Sequence, residues 1–125
     1  MGSVRIWLML AALNGLMAVA AGAFGAHAVT DPVVKDWLRT GAQYQLVHAV
    51  AGIACYGLLR VMLTQAGLAA WLFGFGGLIF GLSLYALALT GAKVLGAITP
   101  IGGVLMIAGW AVLLWGALAG MAAAD

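Results

Sequence analysis

Apolar side chains dominate this chain of 125 residues, and charges are few. Hydrophobic residues make up 66% of it and charged residues 6%, against roughly half and about a quarter in soluble domains. This composition excludes an ordinary soluble domain and predicts an integral membrane protein. The net charge of +2 comes from scattered basic residues, which are typical of anchors at the membrane surface. We therefore expect the lipid bilayer as a partner and no nucleic acid.

The chain contains four apolar runs that are long enough to cross a bilayer, since about 20 residues in a helix span the ~30 Å hydrocarbon layer. We predict an all-α fold with one transmembrane domain over residues 1–125. The spans are expected at residues 6–26, 42–62, 68–90 and 101–121. Because the connections are short, consecutive helices are expected to be antiparallel neighbours in a four-helix bundle.

A short charged segment separates the first two spans. Residues 32–40 alternate apolar and charged side chains at helical spacing, which predicts an interfacial amphipathic helix with one face toward lipid. Pro32 stands where the first turn of a helix tolerates proline. Asp31 precedes it and is expected to cap the helix.

Small residues recur along the spans and predict close helix packing, because helices in lipid gain stability from backbone approach through glycine. Asn14, within the first span, is interpreted as an interhelical hydrogen-bonding residue rather than a ligand. The glycines expected at packing positions are Gly22, Gly25, Gly77, Gly81, Gly102, Gly109 and Gly116.

No catalytic pattern is found in the sequence. There is no glutamate, and no aspartate lies inside an apolar span, which removes the usual intramembrane carrier of protons or cations. HExxH and CxxC pairs and phosphate-binding loops do not occur. We therefore expect a protein that is not an enzyme, with no catalytic residue, no metal and no cofactor.

One polar cluster interrupts the second span, in the segment GAQYQLVHAVAG. Gln45 and His48 share a helix face, Tyr44 lies beside it, and His27 ends the first span. The two histidines are expected at the same side of the membrane, where they could meet. Two interpretations stay open for His27, Tyr44, Gln45 and His48: a shallow site for a quinone, haem or metal, or hydrogen bonds between helices. Asn14, roughly 20 Å from His27 along its helix, is expected to lie outside this cluster.

The order of several motifs resembles a known family. NGLMAVAAGAFGAHAV, TGAQYQLVHA, GLSLYALALTG and LGAITPIGGVLMIAGW follow one another along nearly the whole chain. The specific parts are GAFGAH, QYQ with His48 three residues later, and ITPIGG. The chain thus resembles the YgdD/YwdK-type inner-membrane proteins, a family of unknown function that includes transmembrane protein 256. The resemblance implies a multi-pass protein of the cell (inner) membrane and includes His27, Gln45 and His48 in the family's motifs.

Three hypotheses for function follow from these features. The first is a non-enzymatic accessory or structural subunit that acts through helix and lipid contacts, in a larger membrane complex or a homo-oligomer. The second is a small channel or transporter, in dimeric form. The third is a quinone-, haem- or metal-binding protein that uses His27 and His48.

Overall fold

Four long helices make up the fold in the computed structural model, which describes residues 2–124. The two terminal residues of the predicted 1–125 domain lie outside the described part. The helices are α1 (Gly2–His27), α2 (Pro32–Leu58), α3 (Leu63–Thr90) and α4 (Thr99–Ala124), with a short 3-10 helix, Lys93–Ala97, before α4. This confirms the all-helical class that the composition predicts.

Residues with special backbone roles mark two of the helix ends. The Asp31 carboxylate accepts hydrogen bonds from the backbone N–H of Val33 at 2.8 Å and of Val34 at 3.2 Å. It thereby satisfies two donors that the first turn of α2 leaves free. At the end of α3, Gly91 adopts a φ of 72°, a left-handed conformation that favours glycine, and its N–H bonds to the Leu87 carbonyl. Asp31 therefore has the capping role that the sequence predicts.

The structure corrects the prediction of a separate interfacial helix. Residues 32–40 are the first turns of α2, which continues to Leu58 without a break. No proline follows Pro32 to stop the helix, and Gly41 lies in a crowded position rather than at a hinge. A Cβ at Gly41 would lie 2.7 Å from the Tyr85 ring of α3. Gly41 therefore lies inside a continuous helix at a close contact with α3.

Helix α3 lies at the centre of the arrangement. It packs against α1, α2 and α4, and α1 also packs against α2, whereas α1 and α4 share no extensive contact. Helices α1, α2 and α3 thus all contact one another, while α4 packs mainly on α3, and the expected four-helix bundle is not confirmed. Trp7 of α1, Cys55 of α2 and Phe73 of α3 belong to the fully buried apolar core.

Three segments are long and apolar enough to cross a membrane: Gly2–His27, Leu63–Thr90 and Lys93–Ala123. Helix α2 is not among them, because its inner part contains Gln43, Gln45 and His48. It nevertheless runs antiparallel beside α1, with Gly22 near Ala42 and Gly15 near Ala49. The most polar helix is thus flanked by apolar ones, and the sites that its polar side chains form depend on those neighbours.

The backbones of α3 and α4 touch at a pair of glycines. A Cβ at Gly102 would lie 2.5 Å from the Phe80 nitrogen and 2.7 Å from the Gly76 carbonyl oxygen. Further along α4, a Cβ at Gly109 would meet the Phe73 ring at 2.5 Å, and one at Gly116 would meet Gln65 at 2.9 Å. The glycines at seven-residue spacing in α4 therefore all face α3 and allow the close approach of the two helices.

We expect Gly102→Ala to destabilise the protein by about 1–3 kcal/mol, the usual cost of overpacking, because the added methyl meets backbone atoms that cannot rotate away. Gly103→Ala is the matched control, since a Cβ there has nothing within 4 Å. Alanine is the better helix former, so the control should unfold at the same temperature as the parent or higher. The measurement is thermal unfolding in detergent. Equal midpoints for the two variants would contradict this account of the α3–α4 contact.

Candidate functional site

A chain of hydrogen-bonded side chains joins α1, α2 and α3 inside the molecule. The Gln45 amide nitrogen donates to Asn14 Oδ1 at 2.8 Å, and the Tyr85 hydroxyl donates to Gln45 Oε1 at 2.6 Å. Asn14 Nδ2 donates in turn to the carbonyl oxygens of Leu10 and Gly74, both at 3.0 Å. Gln45 is 0% and Asn14 1% exposed. We call Asn14, Gln45 and Tyr85 the amide network.

Glycines of α3 provide the space that the amide network occupies. A Cβ at Gly81 would lie 2.7 Å from Gln45 Oε1, and one at Gly77 would lie 3.3 Å from Asn14 Oδ1. In lipid a buried amide needs partners, because water is absent. The two glycines thus let the amides approach α3 and find those partners.

His48 forms a second polar contact, which links α2 to α4. Its Nδ1 lies 2.6 Å from the Tyr44 carbonyl oxygen, and its Nε2 lies 2.9 Å from Trp110 Nε1. An indole nitrogen can only donate, so His48 Nε2 accepts this bond and Nδ1 carries the ring proton. The ring also lies against Phe73, with centroids 5.4 Å apart. Both nitrogens of His48 are therefore already bound within the protein.

His27 and His48 do not meet, contrary to the sequence-based expectation. His27 is exposed at the end of α1, and the residue opposite that end of α1 is Leu38, which packs on Gly25. His48 lies ten residues further along α2, which is about 15 Å at 1.5 Å per residue. The reason is that α2 already starts at Pro32. The residues expected to form a separate interfacial helix are its first turns and lie beside the end of α1, where we had predicted His48.

Tyr44 lies at the edge of this region and is 51% exposed. Its ring contacts Phe80 of α3 with centroids 5.1 Å apart and is stacked at 6.5 Å on His48. An open groove of about 500 Å³ passes along the residues 43–48 side of α2. Tyr44 and His48 border this groove, but His48 directs its nitrogens to Tyr44 and Trp110 instead.

The arrangement offers few ligands for a metal. Among residues 2–124, no three histidine, cysteine, aspartate or glutamate side chains lie close enough to share an ion. Cys55 is buried in the apolar core. The polar groups of this region can therefore hold helices together, and a haem or metal at His48 would first have to displace Trp110.

The interhelical hydrogen bonds predicted for Asn14 are confirmed, but its pairing with Gln45 and the bond from Trp110 to His48 were not foreseen from the sequence. Asn14 was expected to lie outside the cluster, yet it bonds to Gln45. A usable signal existed, because Asn14 and Gln45 each lie fourteen residues from the loop between α1 and α2, which covers residues 28–31. In an antiparallel helix pair, residues equally distant from the connecting loop lie side by side. No comparable signal pointed to Trp110, since α4 reaches His48 only through its packing on α3.

Replacing Gln45 should destabilise the protein more than any exposed change on α2. Gln45→Met keeps the length of the side chain but leaves Asn14 Oδ1 and the Tyr85 hydroxyl without their partner, at a cost of about 1–3 kcal/mol. Gln43→Met, at an exposed position two residues earlier, is the control. Tyr85→Phe should lower the stability of the parent protein, and it should have little further effect on stability after Gln45→Met. Additive losses in thermal or denaturant unfolding would show that the network is not a unit.

The protonation pattern of His48 can be measured directly. Nitrogen-15 NMR of labelled protein in detergent should show His48 protonated at Nδ1, with Nε2 as the acceptor. Trp110→Phe removes the donor and should shift the Nε2 signal. Trp115→Phe, a change at an exposed tryptophan of the same helix, should leave it in place. An Nε2-protonated ring in the parent would contradict the contact.

Comparison with known proteins places the chain in a family. Residues 21–103 match the family described as "Protein of unknown function (DUF423)". A UPF0382 membrane protein of Staphylococcus epidermidis is 43% identical over 115 residues, covering 89% of this chain and 93% of the relative. No solved structure matches.

Two further relatives bear the names that the motifs suggested. The UPF0382 membrane protein YwdK of Bacillus subtilis is 38% identical over 117 residues, with 89% of this chain and 94% of the relative covered. The UPF0382 inner membrane protein YgdD of Escherichia coli is 37% identical over 123 residues, with 91% and 90% covered. These names and the three apolar segments confirm the resemblance and the expected location in the cell (inner) membrane. The chain belongs to the DUF423 family of membrane proteins, whose function is unknown.

Proposed function

We propose that the protein is a non-enzymatic accessory subunit that acts through helix and lipid contacts. The observation that carries this proposal is the presence of two exposed tryptophans in the middle part of α4. Trp110 and Trp115 are 48% and 53% exposed, and both lie near the midpoint of a helix that runs from Thr99 to Ala124.

Tryptophan at the lipid surface normally lies at the two membrane boundaries. Trp110 and Trp115 are instead flanked on both sides by exposed aliphatic residues, which extend from Ile101 to Met121. Large aromatic side chains at such positions are typical of contact surfaces with another protein. Because α4 packs on α3 and has no extensive contact with α1, its outer face is open to a partner helix.

The use of the interior polar groups also supports a role without chemistry. Among the described residues, no buried side-chain nitrogen or oxygen lacks a hydrogen-bond partner. Asn14, Gln45 and Tyr85 bond to one another, and His48 bonds to Tyr44 and Trp110. These bonds favour the structural interpretation of the cluster over the quinone, haem or metal site. No comparable observation favours the channel hypothesis.

Site-specific photo-crosslinking in native membranes tests the proposal. With benzoylphenylalanine at Leu114, next to Trp115, we expect a discrete protein adduct that mass spectrometry can identify as another subunit or a second copy. Leu16 of α1, which is similarly exposed (70% against 61% for Leu114), is the control and should yield lipid adducts only.

Two outcomes would count against an accessory role. One is the absence of protein adducts at Leu114. The other is flux of protons, fluoride or cations through liposomes that contain the purified protein, above the flux of empty vesicles, which would favour the channel hypothesis instead.

A further inference from the structure

A groove of about 340 Å³ lies between the end of α1 and the beginning of α2. One wall is polar and consists of Lys35, Arg39 and Gln43 of α2. These residues are four apart in sequence, so they follow one face of the helix. The groove falls within the ~300–1,000 Å³ range of small-ligand sites.

The opposite wall is formed by the small residues Gly22, Gly25 and Ala26 of α1. The two helices approach closely here, since a Cβ at Gly25 would lie 3.0 Å from the Leu38 Cβ. Without long side chains on α1, nothing from that helix reaches across to cover the charged wall. The space beside Lys35 and Arg39 is therefore open to a ligand.

The charge in the groove is positive and uncompensated by its own lining. Lys35 and Arg39 are both cationic, and no acidic residue lines the groove. Asp31 caps α2 through the N–H groups of Val33 and Val34. Asp36 lies three residues before Arg39, about one helical turn away, but it is not part of the lining. Like charges one helical turn apart repel each other, so an anion between them would stabilise this end of α2.

The position of the groove along the helices identifies the class of anion. Lys35 and Arg39 lie in the first two turns of α2, about 5–10 Å from its start at Pro32. Long basic side chains at such depths extend toward the headgroup layer of a bilayer. Beyond Gln43 the surface of α2 becomes apolar, with Leu46, Val47 and Val50 exposed. A molecule with a phosphate at one end and acyl chains at the other matches this sequence of surfaces.

We propose that this groove binds the phosphate group of an anionic phospholipid through Lys35, Arg39 and Gln43. Arginine can hold two phosphate oxygens at once, lysine supplies a second charge, and the Gln43 amide supplies a neutral donor. The inference rests on the proposed function only in the idea that the protein acts through contacts with lipid. It concerns a different surface from the α4 face, so failure of the Leu114 crosslinks would leave it intact.

Native mass spectrometry of the full chain in detergent tests the site. The probes are phosphatidylglycerol and phosphatidylcholine with identical acyl chains, with and without an excess of inorganic phosphate. The parent should bind phosphatidylglycerol preferentially. In Lys35→Gln/Arg39→Gln that preference should fall on the order of tenfold, as expected from the loss of two basic residues near an anionic lipid.

Two controls separate a specific site from a general effect of charge. Arg5→Gln/Arg60→Gln removes the same charge at the opposite end of the helices and should keep the preference. Ala26→Leu keeps every charge but narrows the groove, and it should lower binding of phosphatidylglycerol. The thermal midpoint of each variant without lipid establishes that it is folded.

The outcomes divide clearly. Loss of phosphatidylglycerol in Lys35→Gln/Arg39→Gln and in Ala26→Leu, with resistance to inorganic phosphate, supports a lipid headgroup. Binding of inorganic phosphate that the same variants abolish, with no lipid preference, supports the phosphate site with a soluble source. Equal losses in the two charge-removing variants, no loss in either of them, or full binding by Ala26→Leu would overturn the proposal.

Discussion

The need to satisfy every buried polar group in a dry environment shapes this molecule most strongly. Gln45 carries a donor and an acceptor into the middle of a helix that has too many polar residues to face lipid alone. Asn14 from α1 and Tyr85 from α3 supply the partners. Because each bond crosses between two helices, the amide network sets the depth at which α1, α2 and α3 meet. A shift by one turn along any of them would break the network, and an unpartnered buried polar group is costly in lipid.

Glycine is the condition that makes this network possible. Gly77 and Gly81 leave room on α3 for the amides of Asn14 and Gln45, and Gly41 leaves room on α2 for the Tyr85 ring. On its other side, α3 meets α4 through Gly76 and Gly102. The central helix therefore uses small residues on two faces for two purposes, space for polar side chains and contact between backbones. Individual interhelical hydrogen bonds in membranes contribute about 0.6 kcal/mol on average, so close packing must supply much of the remaining stability.

The surfaces that remain after packing are chemically distinct. The outer face of α4 is apolar and carries exposed tryptophans in its middle, whereas the groove at the α1–α2 end carries Lys35 and Arg39. The His48–Trp110 bond connects the first surface to the interior, because it holds the indole of an exposed residue against α2. A partner on α4 would therefore contact a ring that is already oriented, and it would not have to bear the entropic cost of ordering that ring.

Composition and hydropathy alone determined the class of this protein. Antiparallel membrane helices follow directly from the apolar runs, from Asp31 before Pro32 and from the glycines at seven-residue spacing in α4. These features act through local geometry and the thickness of the bilayer. Tertiary structure decided the features that depend on how each helix is shifted along its axis and rotated about it relative to its neighbours. Only the folded structure shows that α2 continues through Gly41, at a position that packs against the Tyr85 ring. The pairing of Asn14 with Gln45, the separation of His27 from His48 and the bond from Trp110 all depend on how α1, α3 and α4 pack around α2. Such relations involve residues far apart in the chain, and apolar periodicity carries no information about which polar side chain finds which partner.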